Sequence, residues 1–359
     1  MTNLNADKKP TVVITGSDGL IGSAVLRQLH GDYNLVGLDN DRSSSNEGLH
    51  DLIYCDLTDD ASVRQAFQQI RERHGDQIAS FVHLAAYYDF SGEDSPLYDE
   101  LTVQGTARVL RELSRFQVEQ FVFTSTLLVM EPSRQGQPID ESSPVQAEWQ
   151  YPRSKLDTEK LIADQRGDMP AVILRIAGVY SEWGRAVPIV QQMKRIYDKD
   201  LESYLFPGDP SHGQSMVHID DVVSSIEFVI EKRRELSGVE GFLIGEPDAM
   251  SYEELQDQIG ELLHGEEWPS IRIPKPVAKA GALAKQAVSD DDFIQPWMVD
   301  LADQDYRIDI SKAQRLLGWK PTHSLRATLP RIAANLIDSP DEWFERNGIP
   351  AEEPAGAER

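Results

Sequence analysis

The chain has 359 residues, with 35 lysines and arginines against 60 aspartates and glutamates, for a formal net charge of −25. That length suits about two domains, or one large domain with an appended lobe, and buries a substantial core without covalent staples. The charge repels nucleic acid and anionic membrane surfaces; a single cysteine, Cys55, excludes an intrachain disulfide framework and fits a reducing, cytoplasmic compartment.

Met1 to Pro10 is polar and lacks the apolar core of a secretory signal, and no run approaches the ~20 apolar residues of a membrane span. Thr11 to Thr15 is β-branched, apolar and short, the pattern of a strand buried on both faces. Gly16-Ser17-Asp18-Gly19-Leu20-Ile21-Gly22 follows, and Ser23 to His30 then reads as a helix with apolar residues three and four apart. Gly16 permits the tight turn, Gly19 lets backbone approach a pyrophosphate, and Gly22 lets the helix pack close to the strand. The helix N-terminus offers N–H groups and a positive dipole end to phosphates. Asn34 to Leu38 is the next strand and ends at Asp39, where a carboxylate would accept hydrogen bonds from adenosine ribose hydroxyls. That carboxylate repels a 2′-phosphate, so NAD is expected over NADP, with Arg42 close enough to oppose the preference.

Asp51 to Tyr54 and Ile78 to Val82 read as the third and fourth strands, with Cys55 a buried strand-end residue. Gln120 to Phe123 is a fifth, running into Thr124-Ser125-Thr126 at the end where doubly wound sheets bind ligands. One of these hydroxyls would hold a substrate oxygen, while the others close the strand. Tyr151 and Lys155 are four apart, so a helix through them places both on one face, with Pro152 in its first turn. A free tyrosine titrates near 10, and a neighbouring ammonium or an oxidised nicotinamide favours the phenolate. Ala171 to Arg175 is the sixth strand, and the alternation predicts an α/β doubly wound parallel sheet. Beyond it, loops containing Gly and Pro replace the regular alternation.

Other polar groups take structural readings. His83 is expected to be structural. Asp220 or Asp221 is expected to cap the following helix rather than join His218 in a metal site, and no metal is expected. Asp290-Asp291-Asp292 reads as a solvated loop, and Pro274 to Val288 as an amphipathic helix with solvated lysines. Gly348 to Arg359 is rich in Pro, Ala and Glu, a composition that favours disorder.

Taken together, the motifs resemble the extended short-chain dehydrogenase/reductases of the NAD-dependent epimerase/dehydratase type, over roughly Thr11 to Leu336. Gly16, Asp18, Gly19, Leu20, Ile21 and Gly22 match that family's cofactor turn, with Asp39, Asn40 and Arg42 at the ribose. Asp56-Leu57 resembles the segment at the adenine, and Leu84-Ala85-Ala86 the loop beneath the cofactor. The stretch from Phe121 to Met130 resembles the strand carrying the catalytic Ser/Thr, a role that falls on Thr126, with Thr124 as the alternative. Tyr151 and Lys155 match the active-site motif. Met216 to Val222 and Ser311 to Pro321 match later segments.

The resemblance implies a Rossmann-type NAD-binding domain over 1–176 with a return segment near 215–246. It implies a smaller substrate lobe over 177–214 and 247–345, with a small-molecule substrate between the two parts and a possible homodimer. Tyr151 would be the acid/base, Lys155 would lower its pKa and hold the ribose, and Thr126 would steady the substrate oxygen. Three departures stand out. Thr102 replaces a frequent asparagine, Gly178 replaces an asparagine of nucleotide-sugar enzymes, and Leu127-Leu128 replace the Asp-Glu pair of sugar dehydratases, which argues against dehydration. The expected function is NAD-dependent epimerase or oxidoreductase chemistry by hydride transfer at a secondary alcohol or ketone carbon, with sugars and nucleotide sugars among the candidates. The alternatives are a dehydrogenase resembling the steroid- and aldehyde-reducing branches, and a non-catalytic NAD-binding sensor or scaffold.

Overall fold

The computed structural model describes residues 9–41, 48–89, 94–133, 136–286 (backbone alone for 282–286), 299 and 302–349. Arg42, the triple aspartate at 290–292 and the tail beyond 349 lie outside the described residues. Seven parallel strands form one sheet: β1 (Thr11–Thr15), β2 (Asn34–Asp39), β3 (Asp51–Tyr54), β4 (Ser80–His83), β5 (Phe121–Thr126), β6 (Ala171–Ile176) and β7 (Val239–Ile244). Their order across the sheet is β3-β2-β1-β4-β5-β6-β7. All five residues of β1 are buried, as a central strand covered by helices on both faces requires.

The fourth strand differs from its reading as one run. At Ala79 the backbone changes neighbours: Ala79 N–H donates to Thr11 O, while Ile78 O accepts from Glu119 N–H. Gln77–Ile78 therefore pairs with Gln117–Val118 outside the main sheet. A short run of this kind carries no sign of which neighbour its backbone groups will take.

One face of the sheet is covered by α1 (Leu20–Leu29) and α6 (Ile219–Glu231), with Val25, Leu26 and Leu29 in the same core as Val222, Ile226 and Val229. The other is covered by α2 (Asp60–His74) and α3 (Gln104–Leu113), through Phe67, Ile70, Val109 and Leu113. Full burial of each such side chain is worth roughly 1.5–3 kcal/mol. A third core joins α5 (Val187–Tyr197), α7 (Tyr252–His264) and the helix Leu325–Asp338 through Ile189, Met193, Ile259, Leu329 and Ile332.

The segment from Tyr306 to Trp319 packs against the sheet's first core instead of this third one. Ile308 bridges to Ile139, and the buried Trp319 donates its Nε1–H to Asp221 O (3.2 Å) and Ser224 Oγ (3.0 Å). The stretch 247–345 therefore serves both cores. No helix of the described residues is long and apolar enough to cross a membrane.

Candidate active site

At the carboxyl end of β1 the chain turns through Gly16, whose φ of +65° is the left-handed region that glycine enters without strain. A Cβ on Gly22 would lie 2.1 Å from Gly16 O, so only glycine lets α1 seat against the turn. Gly19 is the helix N-cap and offers no side-chain cap, which leaves the first-turn N–H groups available to an anion. A Cβ on Gly19 would meet Gly16 O at 3.2 Å and otherwise open space. Asp39, at the end of β2, reaches over this turn and accepts from Asp18 N–H (2.9 Å) and Asp41 N–H (3.2 Å). Asn40 and Leu20 are exposed beside it, and Ile21 is half-buried.

The loop Leu84-Ala85-Ala86 lies against the same turn: a Cβ on Gly16 would sit 3.0 Å from Ala85 N. Thr15 Oγ1 fixes that loop by accepting from the N–H groups of Leu84 and Ala85, each at 3.2 Å. His83 bridges Thr15 Oγ1 (2.7 Å) and Thr106 Oγ1 (2.9 Å). Burial pushes its imidazole down to about 3, so it stands neutral as a structural tie. Asp56 Oδ1 accepts from the N–H and hydroxyl of Thr58 (2.9 and 2.7 Å), closing a turn after β3. Leu57 is different: its side chain is buried in the core, and its carbonyl accepts from Arg108 (3.1 Å). Cys55 is buried, and desolvation holds its thiol up at about 12. A glycine cradle, uncapped helix N–H groups and an acid at the next strand end together fit a dinucleotide.

The second half of the site joins β5 to α4 (Gln150–Gln165). Trp149 precedes this helix in extended conformation, and Pro152 falls in its first turn, where no intrahelical N–H is lost. Tyr151, Lys155 and Glu159 follow one another at single-turn spacing, and all three are buried. The Thr126 hydroxyl acts on the Tyr151 phenol and favours its ionised form. Lys155 Nζ donates to Thr124 O (2.9 Å) and stands 4.9 Å from the Phe123 ring centroid. Burial drives the Tyr151 phenol up to about 12, opposed by the neighbouring Thr126 hydroxyl. Burial also drives Lys155 down to about 7, opposed by the charge of Glu159. The Tyr88 ring meets Tyr151 edge-on, with centroids 5.4 Å apart.

Glu159 was not singled out by the sequence reading. Its Oε1 accepts from Ser125 Oγ (2.5 Å) and its two oxygens take Arg175 Nε (3.2 Å) and a terminal guanidinium nitrogen (2.7 Å). This clamp ties the strand segment that holds Thr124 O and Thr126 to the helix that carries Tyr151 and Lys155. The signal was present: an acid one turn beyond Lys155, and an arginine inside an otherwise apolar strand. Thr102 closes a π-helical turn (Tyr98–Val103) before α3 and accepts from Tyr87 N–H (3.0 Å), which anchors the loop leading to Tyr88.

A cavity of about 180 Å³ is lined in part by Leu128, two residues after Thr126, and Trp149, two before Tyr151. Leu127 is buried in the core, so neither leucine offers a proton-transfer group. Gly178 packs under Met216; a Cβ there would fall 2.5 Å from its Sδ.

The capping role expected of Asp220 or Asp221 falls elsewhere. His218 caps α6, its Nδ1 accepting from Asp220 N–H (3.2 Å). Asp221 is buried and instead accepts from Thr322 N–H, Thr322 Oγ1 and His323 N–H (2.9, 2.8 and 2.9 Å), pinning the approach to the helix Leu325–Asp338. A buried aspartate finds its donors in a segment a hundred residues away, which local spacing cannot reveal. His218, Asp220 and His323 bring possible ligand atoms within 4.8 Å of one another, with the two imidazoles stacked at 4.1 Å.

A profile of the NAD dependent epimerase/dehydratase family matches residues 12–245. The chain belongs to this family. Among its relatives is the N-acetyl-α-D-glucosaminyl-diphospho-ditrans,octacis-undecaprenol 4-epimerase of Escherichia coli O157:H7, 23% identical over 75% of this chain and 77% of that protein. The 3β-hydroxysteroid dehydrogenase type 7 of Mus musculus is 26% identical over 73% of this chain and 77% of its own length. A solved structure of UDP-glucose 4-epimerase from Thermotoga maritima with UDP-glucose superposes with a TM-score of 0.68 at 20% identity. It covers 92% of this chain and 100% of the epimerase, a likeness of fold. Dehydratases belong to the same family, so membership alone leaves dehydration open.

Proposed function

We propose that the protein is an NAD-dependent epimerase or oxidoreductase that transfers hydride at a secondary alcohol or ketone carbon. The observation that carries this reading is the placing of Tyr151 and Lys155 on one buried helix face against the strand end of Thr124 and Thr126, with Lys155 bonded to Thr124 O, at the same sheet end as the glycine turn. The N–H groups of α1 and the turn of Gly16, Gly19 and Gly22 would hold the pyrophosphate. Asp39 would hold the adenosine ribose, the segment at Asp56 would flank the adenine, and Leu84 to Ala86 would lie beneath the cofactor. The Asp39 carboxylate favours NAD over its 2′-phosphorylated form.

Bound NAD supplies the hydride acceptor or donor. Tyr151 Oη moves the proton at the substrate oxygen, and Thr126 Oγ1 steadies that oxygen while the proton is in transit. A phenol held near 12 stands protonated, the form that donates to a ketone. The reverse direction needs the phenolate, which a charged Lys155 favours. Leu127 and Leu128 give no second acid or base, so the product keeps its water.

The test is turnover with a panel of hydroxy and keto compounds, followed at the NADH absorbance and by product mass. Catalysis abolished in Tyr151→Phe with NAD binding retained supports the reading. NAD binding without turnover of any substrate would favour the sensor reading, and a product lighter by one water would refute the exclusion of dehydration.

A further inference from the structure

The cavity that Leu128 and Trp149 line has a composition that selects for its contents. Among the described residues that line it, twelve of nineteen are apolar or aromatic. Much of the remaining polarity is turned away or paired within the wall. Tyr252 and Tyr306 donate their hydroxyls to Gln304 O (3.5 Å) and Met130 O (3.4 Å), so their ring faces are what the wall presents. Gln192 donates to Gln256 Oε1 (3.2 Å), and Gln256 donates to Ser203 O (3.0 Å).

One cation remains among the described lining residues, Arg195 of α5. Its Nε donates to Gln191 O (3.1 Å), and among the described residues no ion pair forms on it. Glu202 lines the same cavity, and the charges of Glu202 and Asp200 both act on Arg195. A nucleoside diphosphate would bring two desolvated negative charges to a wall with one guanidinium and an acid beside it. Charge in a low-dielectric site is held only when it is paired, so such a ligand is disfavoured. An apolar skeleton gains from the same wall in proportion to its buried area.

We propose that this site takes a ketone or secondary alcohol on an apolar ring skeleton bearing at most one negative charge, a carboxylate that Arg195 receives, in place of a nucleotide-linked sugar. The inference rests on the hydride-transfer reading of Tyr151 for what is done to the substrate, and on the cavity wall alone for what is bound.

The experiment titrates the full-length, NADH-loaded protein calorimetrically with four probes: UDP, UDP-glucose, 4-cyclohexylcyclohexanone and 4-(4-oxocyclohexyl)benzoate. The expected result is that both ketones bind at least tenfold more tightly than either nucleotide, with the carboxylate-bearing ketone the tighter. Arg195→Gln should erase the preference for the carboxylate and keep binding of the uncharged ketone; Arg195→Lys should restore part of the preference. UDP or UDP-glucose binding as tightly as the ketones, or no ketone binding at millimolar concentration, overturns the proposal. Equal ketone affinities in the wild type remove the role given to Arg195. A ketone bound but never reduced leaves the cavity inference standing and sinks the hydride-transfer reading. A nucleotide sugar turned over in a Tyr151-dependent way does the opposite.

Discussion

The β5–α4 wall of the site and the wall formed by α5 and α7 are both buried, yet they hold opposite chemistry. On the first, Thr124, Ser125, Thr126, Tyr151, Lys155 and Glu159 bond to one another or to neighbouring backbone within two turns of helix and one strand end. On the second, Val187, Pro188, Ile196 and the Tyr252 ring line the cavity, Gln192 and Gln256 are bonded to each other, and Arg195 is the one cation among the described lining residues. Hydrogen bonds fix direction, and breaking one leaves a buried polar group exposed to its full desolvation cost. Apolar contact fixes area and shape only. Reaction geometry is thus set by one wall and the choice of substrate by the other.

Four variants break or sharpen that contrast. The largest effect is expected from Tyr151→Phe, which deletes the proton carrier and keeps the ring. Turnover should fall by roughly 10²–10⁴-fold, with NAD affinity by calorimetry nearly unchanged. Wild-type turnover in this variant would remove the polar wall from the chemistry. Next comes Glu159→Gln, which leaves Arg175 without its buried partner. Loss of one member of such a pair costs about 3–5 kcal/mol, to be read from urea denaturation. A shift below 1 kcal/mol would show that the clamp does not fix β5 to α4.

Gly22→Ala tests the cofactor turn, where the new methyl group has 2.1 Å to Gly16 O. Overpacking of this kind costs about 1–3 kcal/mol, and NAD affinity should weaken by roughly tenfold as α1 is displaced. Unchanged affinity would mean that the helix seats without this contact.

The smallest expected effect concerns Glu246, a buried carboxyl that among the described residues lacks a cationic partner of the Arg175 kind. It accepts from Tyr180 OH (2.7 Å) and Leu325 N–H (2.9 Å), and desolvation raises it from 4.5 to about 6. The folded state therefore binds this proton more tightly than the unfolded state. The resulting stabilisation is complete below pH 4.5 and is lost as pH rises through about 6. A shift of that size amounts to about 2 kcal/mol. Denaturation midpoints of the wild type and Glu246→Gln at pH 4.5 and 7 should diverge accordingly; parallel curves would contradict it.

Much of the sheet was legible because its signals are local. A β-branched run, three spaced glycines and a Tyr/Lys pair at helical spacing each act within a few residues of themselves, and each is found where the spacing put it. The seventh strand, Val239–Ile244, was anticipated only as a return segment, because nothing local states which edge a strand will join. The clamp of Ser125, Glu159 and Arg175 unites three segments, although Glu159 advertises itself one turn past Lys155. The cap at His218 was missed because two aspartates stood beside a less usual capping residue. The cavity was least legible of all, since its wall is drawn from separate stretches between Leu128 and Tyr306.

The packing of Tyr306 to Trp319 against the sheet has a consequence for how the chain comes to be folded. Synthesis reaches Gly245, the end of the family match, with all seven strands made but one layer of the core still missing Ile308, Ile310, Leu317 and Trp319. At about 5–20 residues per second, the remaining stretch takes roughly four to fifteen seconds to appear. Over that interval an all-parallel sheet, slow to assemble in any case, carries an apolar face that α1 and α6 cover only in part. A fragment ending at 245 keeps the nucleotide-binding signature and its two covering helices yet leaves part of that face open for good. The unit that evolution copies as a sequence and the unit that folds as a body are here of different lengths.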